Sequence, residues 1–149
     1  MDIKDATHSM QIRSFAHADT DAVIGLWNDC GLTRPWNDPH KDIARKLSVS
    51  PDLFLVGTNG AGQLIASVMV GYDGHRGWIN YLAVHPNCQR QGHARRLMER
   101  AEQLLAERGC PKLNLQVREG NEAVIAFYES LGYSNDKTVS LGKRLIADI

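Results

Sequence analysis

The chain has 149 residues, 43% of them hydrophobic and 23% charged, a size and balance that fit one domain around one buried core. Its 17 basic and 17 acidic residues cancel, so no net field draws it to nucleic acid or to an anionic membrane. No apolar run is long enough to span a bilayer, no leader pattern stands at the start, and Cys30, Cys88 and Cys110 are too scattered for a disulfide framework or a zinc site; a reducing, cytoplasmic setting is the expectation. The six histidines also lack metal-ligand spacing.

Residues 1–9 are polar and unpatterned and read as a loose extension ahead of a single domain at 10–149. Residues 10–15 form a first strand. Asp19 or Thr20 caps a helix whose inward positions are Ala22, Val23, Leu26, Trp27 and Cys30, and Gly31 ends it. After a loop, Asp38-Pro39 has the form of an N-cap followed by proline in the first turn, and opens a short helix with Ile43 and Leu47 inward. Strands follow at residues 53–56, 64–70 and 78–84, separated by glycine-rich turns, with 64–70 apolar enough to be buried on both faces. A strong helix spans 92–107, with Ala94, Leu97, Met98, Ala101, Leu104 and Leu105 on one face and Gly109 at its C-terminal stop. A strand at 113–117 is followed by a helix capped by Asn121, with Val124, Phe127, Tyr128 and Leu131 on one stripe and Gly132 ending it. Weak strands near Tyr133 and at 140–146 finish the chain. Antiparallel hairpins followed by a crossover helix and a parallel neighbour make a mixed α/β sheet.

The junction between the 78–84 strand and the long helix carries Gln89-Arg90-Gln91-Gly92-His93-Ala94. Free backbone amides and the positive end of the helix dipole meet there, which suits an anion. Gly92 removes a Cβ from the approach, Ala94 keeps the next turn small, and Gln89 and Arg90 offer side-chain donors. The loop is neither a Walker loop nor a dinucleotide fingerprint, since the required Gly-Lys-Ser/Thr and the further glycines are absent.

These residues resemble the GNAT superfamily of acetyl-CoA-dependent N-acetyltransferases, whose central motif is Arg/Gln-x-x-Gly-x-Gly/Ala; Gln89, Gly92 and Ala94 fill the three defined positions. The flanking YLAVHP and RRLMERAEQLL, and the downstream NEAVIAFYESLGY, are similar to the family as well. The resemblance covers roughly residues 10–146, most specifically 79–133. It implies a GNAT-like fold: a mostly antiparallel central sheet with one parallel, splayed strand pair, flanked by about four helices.

It also implies acetyl transfer from acetyl-CoA to a primary amine by direct attack in a ternary complex, without a metal. On the family pattern, the amides of Gln89, Arg90, Gln91, Gly92, His93 and Ala94 hold the pyrophosphate, and Leu82, Ala83 and Val84 expose main-chain groups to the pantetheine and the thioester. Asn121 bonds the coenzyme, and Tyr128 donates a proton to the departing thiolate. Where many relatives carry a strand glutamate, this chain has Asn80 and Tyr81; where relatives acting on ribosomal-protein N-termini have Leu-Glu-Val-Arg, it has Leu115-Gln116-Val117-Arg118, and Gln116 cannot act as a base. Asp73, His75, Glu119 or ordered water are left for that role. Loops 34–38 and 72–76 are the expected acceptor walls, with Trp36, Asp38, Asp73, Arg76 and Asn80 as candidate contacts and a small amine or amino-acid-like metabolite as the acceptor. Action on a protein N-terminus or lysine, and a catalytically silent acyl-CoA sensor, are the alternatives. Nucleic-acid binding is disfavoured because Glu99, Glu102 and Glu107 interleave the helix arginines. A homodimer through the C-terminal strand is a further expectation.

Overall fold

The computed structural model describes residues 9–148; the expected N-terminal extension lies, apart from Ser9, outside the described residues. Five strands, β1 (Gln11–Ser14), β2 (Phe54–Thr58), β3 (Leu64–Tyr72), β4 (Gly77–Val84) and β5 (Leu113–Leu115), form one sheet in sequence order. All neighbours are antiparallel except β4 and β5, which run parallel. Four α-helices, α1 (Thr20–Asp29), α2 (Pro39–Ser48), α3 (His93–Glu107) and α4 (Glu122–Ser130), cover its two faces. This is the mixed sheet with a parallel pair that the element order implies.

Strand periodicity divides the core into two layers. Leu53 and Leu55 alternate with Phe54 and Val56, and Val68 and Val70 flank Met69. One set packs with Leu97, Met98, Ala101 and Leu105 of α3 and Tyr128 of α4. The other meets Val23, Leu26 and Trp27 of α1 and Ile43 of α2. β3 is therefore buried on both sides, as its unbroken apolar run requires.

Local capping chemistry accounts for most element ends. Asp38 accepts from the amides of His40 and Lys41 at 2.9 and 3.4 Å and so starts α2. Gly109, at φ +81°, ends α3 in a Schellman turn, with its amide bonded to the Ala106 carbonyl and that of Cys110 to Leu105. At α1 the structure departs from the sequence reading: Asp19 turns back to the Ala16 amide and the Arg13 guanidinium, and caps no helix amide. The charged fork of Arg13 outcompetes the capping role.

β4 enters under α3 through Gly77, where an added Cβ would stand 2.7 Å from Leu105 Cδ1 and 3.0 Å from Cys110 Sγ. Gly77→Ala therefore overpacks a site where helix and strand backbone are both fixed. The expected loss is about 1–3 kcal/mol, read from the midpoint of urea denaturation.

The expected strands near Tyr133 and at 140–146 do not form. Lys137 adopts φ +57° as its amide bonds Asn135 Oδ1, and side-chain bonds in place of a strand ladder hold the chain beyond it. Gln116 Nε2 bonds Ser140 Oγ at 2.6 Å, Arg144 bonds Asn37 Oδ1 at 2.7 Å, and Arg45 forks onto Asp148 at 2.8 and 3.1 Å. Val139, Leu141 and Leu145 face outward.

Arg45 holds the Asp148 carboxyl at a pKa of about 2, below the ordinary carboxylate range. A depressed pKa contributes to anchoring above the unfolded value near 3.9, and that contribution is lost as pH falls from about 4 through 2. Backbone mobility of residues 134–148, read from ¹⁵N relaxation, is expected to rise over that interval while the α3 core stays rigid. In Asp148→Asn it is expected to be raised already at neutral pH.

Candidate active site

β4 and β5 pair only from Gly77↔Leu113 to Ile79↔Leu115. Beyond Ile79, β4 runs on to Val84 without β5 beside it, and the two strands open into a cleft. The cavity has a volume of about 670 Å³. Its walls include Asn80, Tyr81 and Leu82 of β4, residues 115–118 at the end of β5, Asn121, Val124 and Tyr128 around α4, and Arg34, Asn37 and Asp42 from the α1–α2 side.

A β-bulge sits on the β4 wall. Ser67 pairs with Ala83 and Met69 with Asn80, so Val68 alone opposes both Tyr81 and Leu82. The extra residue reverses the strand's alternation: Ile79 packs in the α3 layer, whereas Tyr81, two positions later, packs in the α1 layer. Tyr81 has φ +52°, a left-handed conformation that costs a bulky residue about 1–3 kcal/mol. Its ring stacks on Trp27 with centroids 3.8 Å apart, and its hydroxyl donates to Asp42 Oδ2 at 2.6 Å. Burial, followed by the Asp42 carboxylate, pushes the Tyr81 phenol well above its ordinary pKa.

The loop from β4 to α3 follows the end of β4, and neither it nor Ala83 and Val84 line the cavity. Gln89 Nε2 donates back to the Val84 carbonyl at 3.1 Å, so this side chain closes the loop. Gln91 bonds the buried His93 ring at 3.1 Å, and Arg90 turns with φ +64°. Gly92 is the N-cap of α3 with φ +81°, and a Cβ built there would meet nothing within 4 Å. The first turn of α3 contains no acidic residue and carries Arg95 and Arg96, cations at the positive end of a helix. That arrangement is unfavourable for a bare helix and becomes favourable when an anion sits at the terminus.

Tyr128 packs edge-on against Phe127 and Tyr133, at centroid distances of 5.1 and 5.8 Å, and reaches the cleft while only 9% exposed. Burial raises its phenol to about 12, so the hydroxyl keeps its proton through neutral pH. Asn121 both caps α4, accepting from the Val124 amide at 3.4 Å, and lines the cleft.

The acceptor candidates separate. Asn80 lines the cleft. Asp38 is engaged as the α2 cap, and its amide donates to Asp148 at 3.4 Å. Trp36 is 49% exposed and does not belong to the cleft wall. Asp73 and Arg76 stay in the β3–β4 turn, where Asp73 Oδ1 accepts from the amides of His75 and Arg76 at 2.8 and 2.7 Å. Asp42 and Tyr81 are wall residues that sequence reasoning did not select. Asp42 resembles an ordinary acidic residue in a helix's first turn, and its partner lies 39 positions away.

The sheet is mixed, splits beside its one parallel pair, and is followed by a helix that starts at a glycine. Residues 13–133 match the acetyltransferase (GNAT) family. An acetyltransferase of Yersinia enterocolitica is 54% identical over 139 residues, spanning 93% of this chain and 98% of that protein. One from Pectobacterium atrosepticum is also 54% identical over 139 residues, with the same shares covered. Among solved structures, an Escherichia coli N-acetyltransferase of a ribosomal-protein alanine is 28% identical with a TM-score of 0.69, covering 83% of this chain and 77% of that one. Glucosamine-6-phosphate N-acetyltransferase from Arabidopsis thaliana shares the fold at 22% identity and a TM-score of 0.68, covering 93% and 99%. The chain belongs to the GNAT family of acetyltransferases, enzymes that draw their acetyl group from acetyl-CoA.

Proposed function

We propose that this protein transfers the acetyl group of acetyl-CoA to the primary amine of a small, amino-acid-like metabolite, by direct attack within a ternary complex. The pyrophosphate rests on the main-chain amides of the Gln89–Ala94 loop and the first turn of α3, with Arg95 adding positive charge there. The pantetheine arm follows the opened edge of β4, where main-chain groups of Leu82, Ala83 and Val84 are available to it. Leu82, the second residue of the bulge, supplies the amide that polarises the thioester carbonyl and stabilises the oxyanion. The neutral amine attacks the carbonyl carbon, the carbon–sulfur bond breaks, and Tyr128 protonates the departing thiolate. The amine's surplus proton leaves through water in the polar half of the cleft, around Asn80, Asn37 and Gln116.

One observation carries the preference for a small acceptor. Gln116 and Asn37 stand on opposite walls of the cleft, and both are bonded to the C-terminal segment, through Ser140 and Arg144. On this reading the segment narrows the approach to the acceptor end, which favours a metabolite over an extended polypeptide. Asp42, Arg34 and Arg118 on the walls supply charges of both signs for a zwitterionic acceptor. The alternative of a protein N-terminus draws on the 28% identity to the Escherichia coli enzyme, but Gln116 stands where that reading wants a carboxylate.

The test is thiol release from acetyl-CoA against two panels, free amino acids and small amines in one, peptides with varied N-termini in the other. Turnover with the first and none with the second is the expected result. Turnover confined to peptides contradicts the small acceptor, and acetyl-CoA binding without turnover in either panel favours a silent module.

A further inference from the structure

The strained residue of β4 is held at three separate points. Its ring lies against Trp27, 14° from parallel. Its carbonyl accepts from Ser67 Oγ at 3.0 Å, and Ser67 Oγ accepts in turn from Trp27 Nε1 at 3.0 Å. Its hydroxyl donates to Asp42 Oδ2 at 2.6 Å. Trp27 and Ser67 are fully buried, both at 0% exposure, so two of the three holds are set inside the core. Ser67 is one of few buried polar side chains among the described residues, and this relay uses its hydroxyl as both acceptor and donor. A bulky residue persists in the left-handed region only where its surroundings over-determine it, and here they fix ring, carbonyl and phenol independently.

We propose that Trp27, Ser67 and Asp42 form a clamp on Tyr81 that fixes the direction of the next peptide group, the Leu82 amide, so that Tyr81 is a positioning residue for acetyl transfer. The inference rests on the reading that the Leu82 amide meets the thioester carbonyl. The geometry connects the two: Tyr81 and Leu82 together oppose Val68, so rotation about Tyr81 swings the Leu82 N–H relative to the cleft. A fold-only role would require Tyr81 to fill space beside Trp27. It would not require a buried hydroxyl on its carbonyl and a carboxylate on its phenol at the cleft wall. Asp42 is the outermost hold, its side chain 25% exposed and also 3.5 Å from the Arg45 guanidinium.

The experiment is isotope-edited infrared spectroscopy of acetyl-CoA carrying ¹³C at the thioester carbonyl, bound to wild type, Tyr81→Phe, Asp42→Ala and Asp42→Asn. Free-CoA affinity and thermal melting of each variant are measured alongside. A donor aimed at the carbonyl lowers its stretching frequency. The clamp predicts that the bound band moves up and broadens in Tyr81→Phe and Asp42→Ala. It predicts a return toward the wild-type position in Asp42→Asn, whose amide oxygen still accepts from the phenol. Free-CoA affinity should stay within about twofold throughout. With an acceptor in hand, kcat in the first two variants falls by on the order of 10-fold to 10²-fold while KM for acetyl-CoA holds. A band unmoved in both Tyr81→Phe and Asp42→Ala, with acetyl-CoA bound, overturns the clamp and leaves the acetyltransferase reading intact. Failure of the wild type to bind acetyl-CoA overturns both.

Discussion

Gly92→Glu is expected to abolish acetyl-CoA binding in a chain that still folds. Gly92 is the N-cap of α3 and holds φ +81°. Any side chain there pays a left-handed backbone cost of roughly 1–2 kcal/mol, a minor part of the ~5–15 kcal/mol that keeps a typical domain folded. The space in front of it is open, since a Cβ would contact nothing within 4 Å. A glutamate therefore fits the apo protein and places bulk and negative charge where the pyrophosphate must come. Gly92→Gln separates the contributions: it shares the backbone cost and the volume but carries no charge. The expected order of affinity is wild type, then Gln, then Glu, with no measurable calorimetric signal for the last. Unaltered affinity in Gly92→Glu would remove the pyrophosphate from this loop.

Tyr128→Phe is expected to leave coenzyme affinity nearly intact and to slow turnover by about 10²–10⁴-fold, the range for loss of a positioned general acid. Phe retains the edge-on packing against Phe127 and Tyr133, so the α3 layer of the core loses little. Only the hydroxyl is removed, and burial keeps that hydroxyl protonated up to about pH 12. The rate in wild type should accordingly show no loss assignable to Tyr128 below that pH; a raised phenol pKa keeps the donor form present throughout the working range. Single-turnover measurements, which isolate the chemical step, should carry the whole deficit. An unchanged single-turnover rate would reduce Tyr128 to a packing residue.

Features encoded within a few residues were legible in the sequence. The Asp38 cap, the Gly109 stop and the apolar run of β3 each depend on neighbours in the chain. Gly92 was legible as the start of α3 for the same reason, since a helix start is set by consecutive residues. The Tyr81 clamp was not, because its partners come from α1, α2 and β3, and only a bulge in β4 turns the side chain toward them. Asp73 illustrates the converse. A polar turn with an aromatic beside it has the composition of a binding loop, yet its carboxylate is consumed in closing its own turn. The expected strand at 140–146 likewise does not form, its segment being held by side-chain bonds to Gln116, Asn37 and Arg45.

The most direct test of the account is calorimetric titration of the wild-type chain with acetyl-CoA, with free CoA and ATP as comparisons. Micromolar-range binding of both coenzyme A species and none of ATP is the predicted result, because the proposed site assigns the pyrophosphate to the loop and the pantetheine to the split between β4 and β5. No binding of either coenzyme A species, or equal binding of ATP, would contradict it.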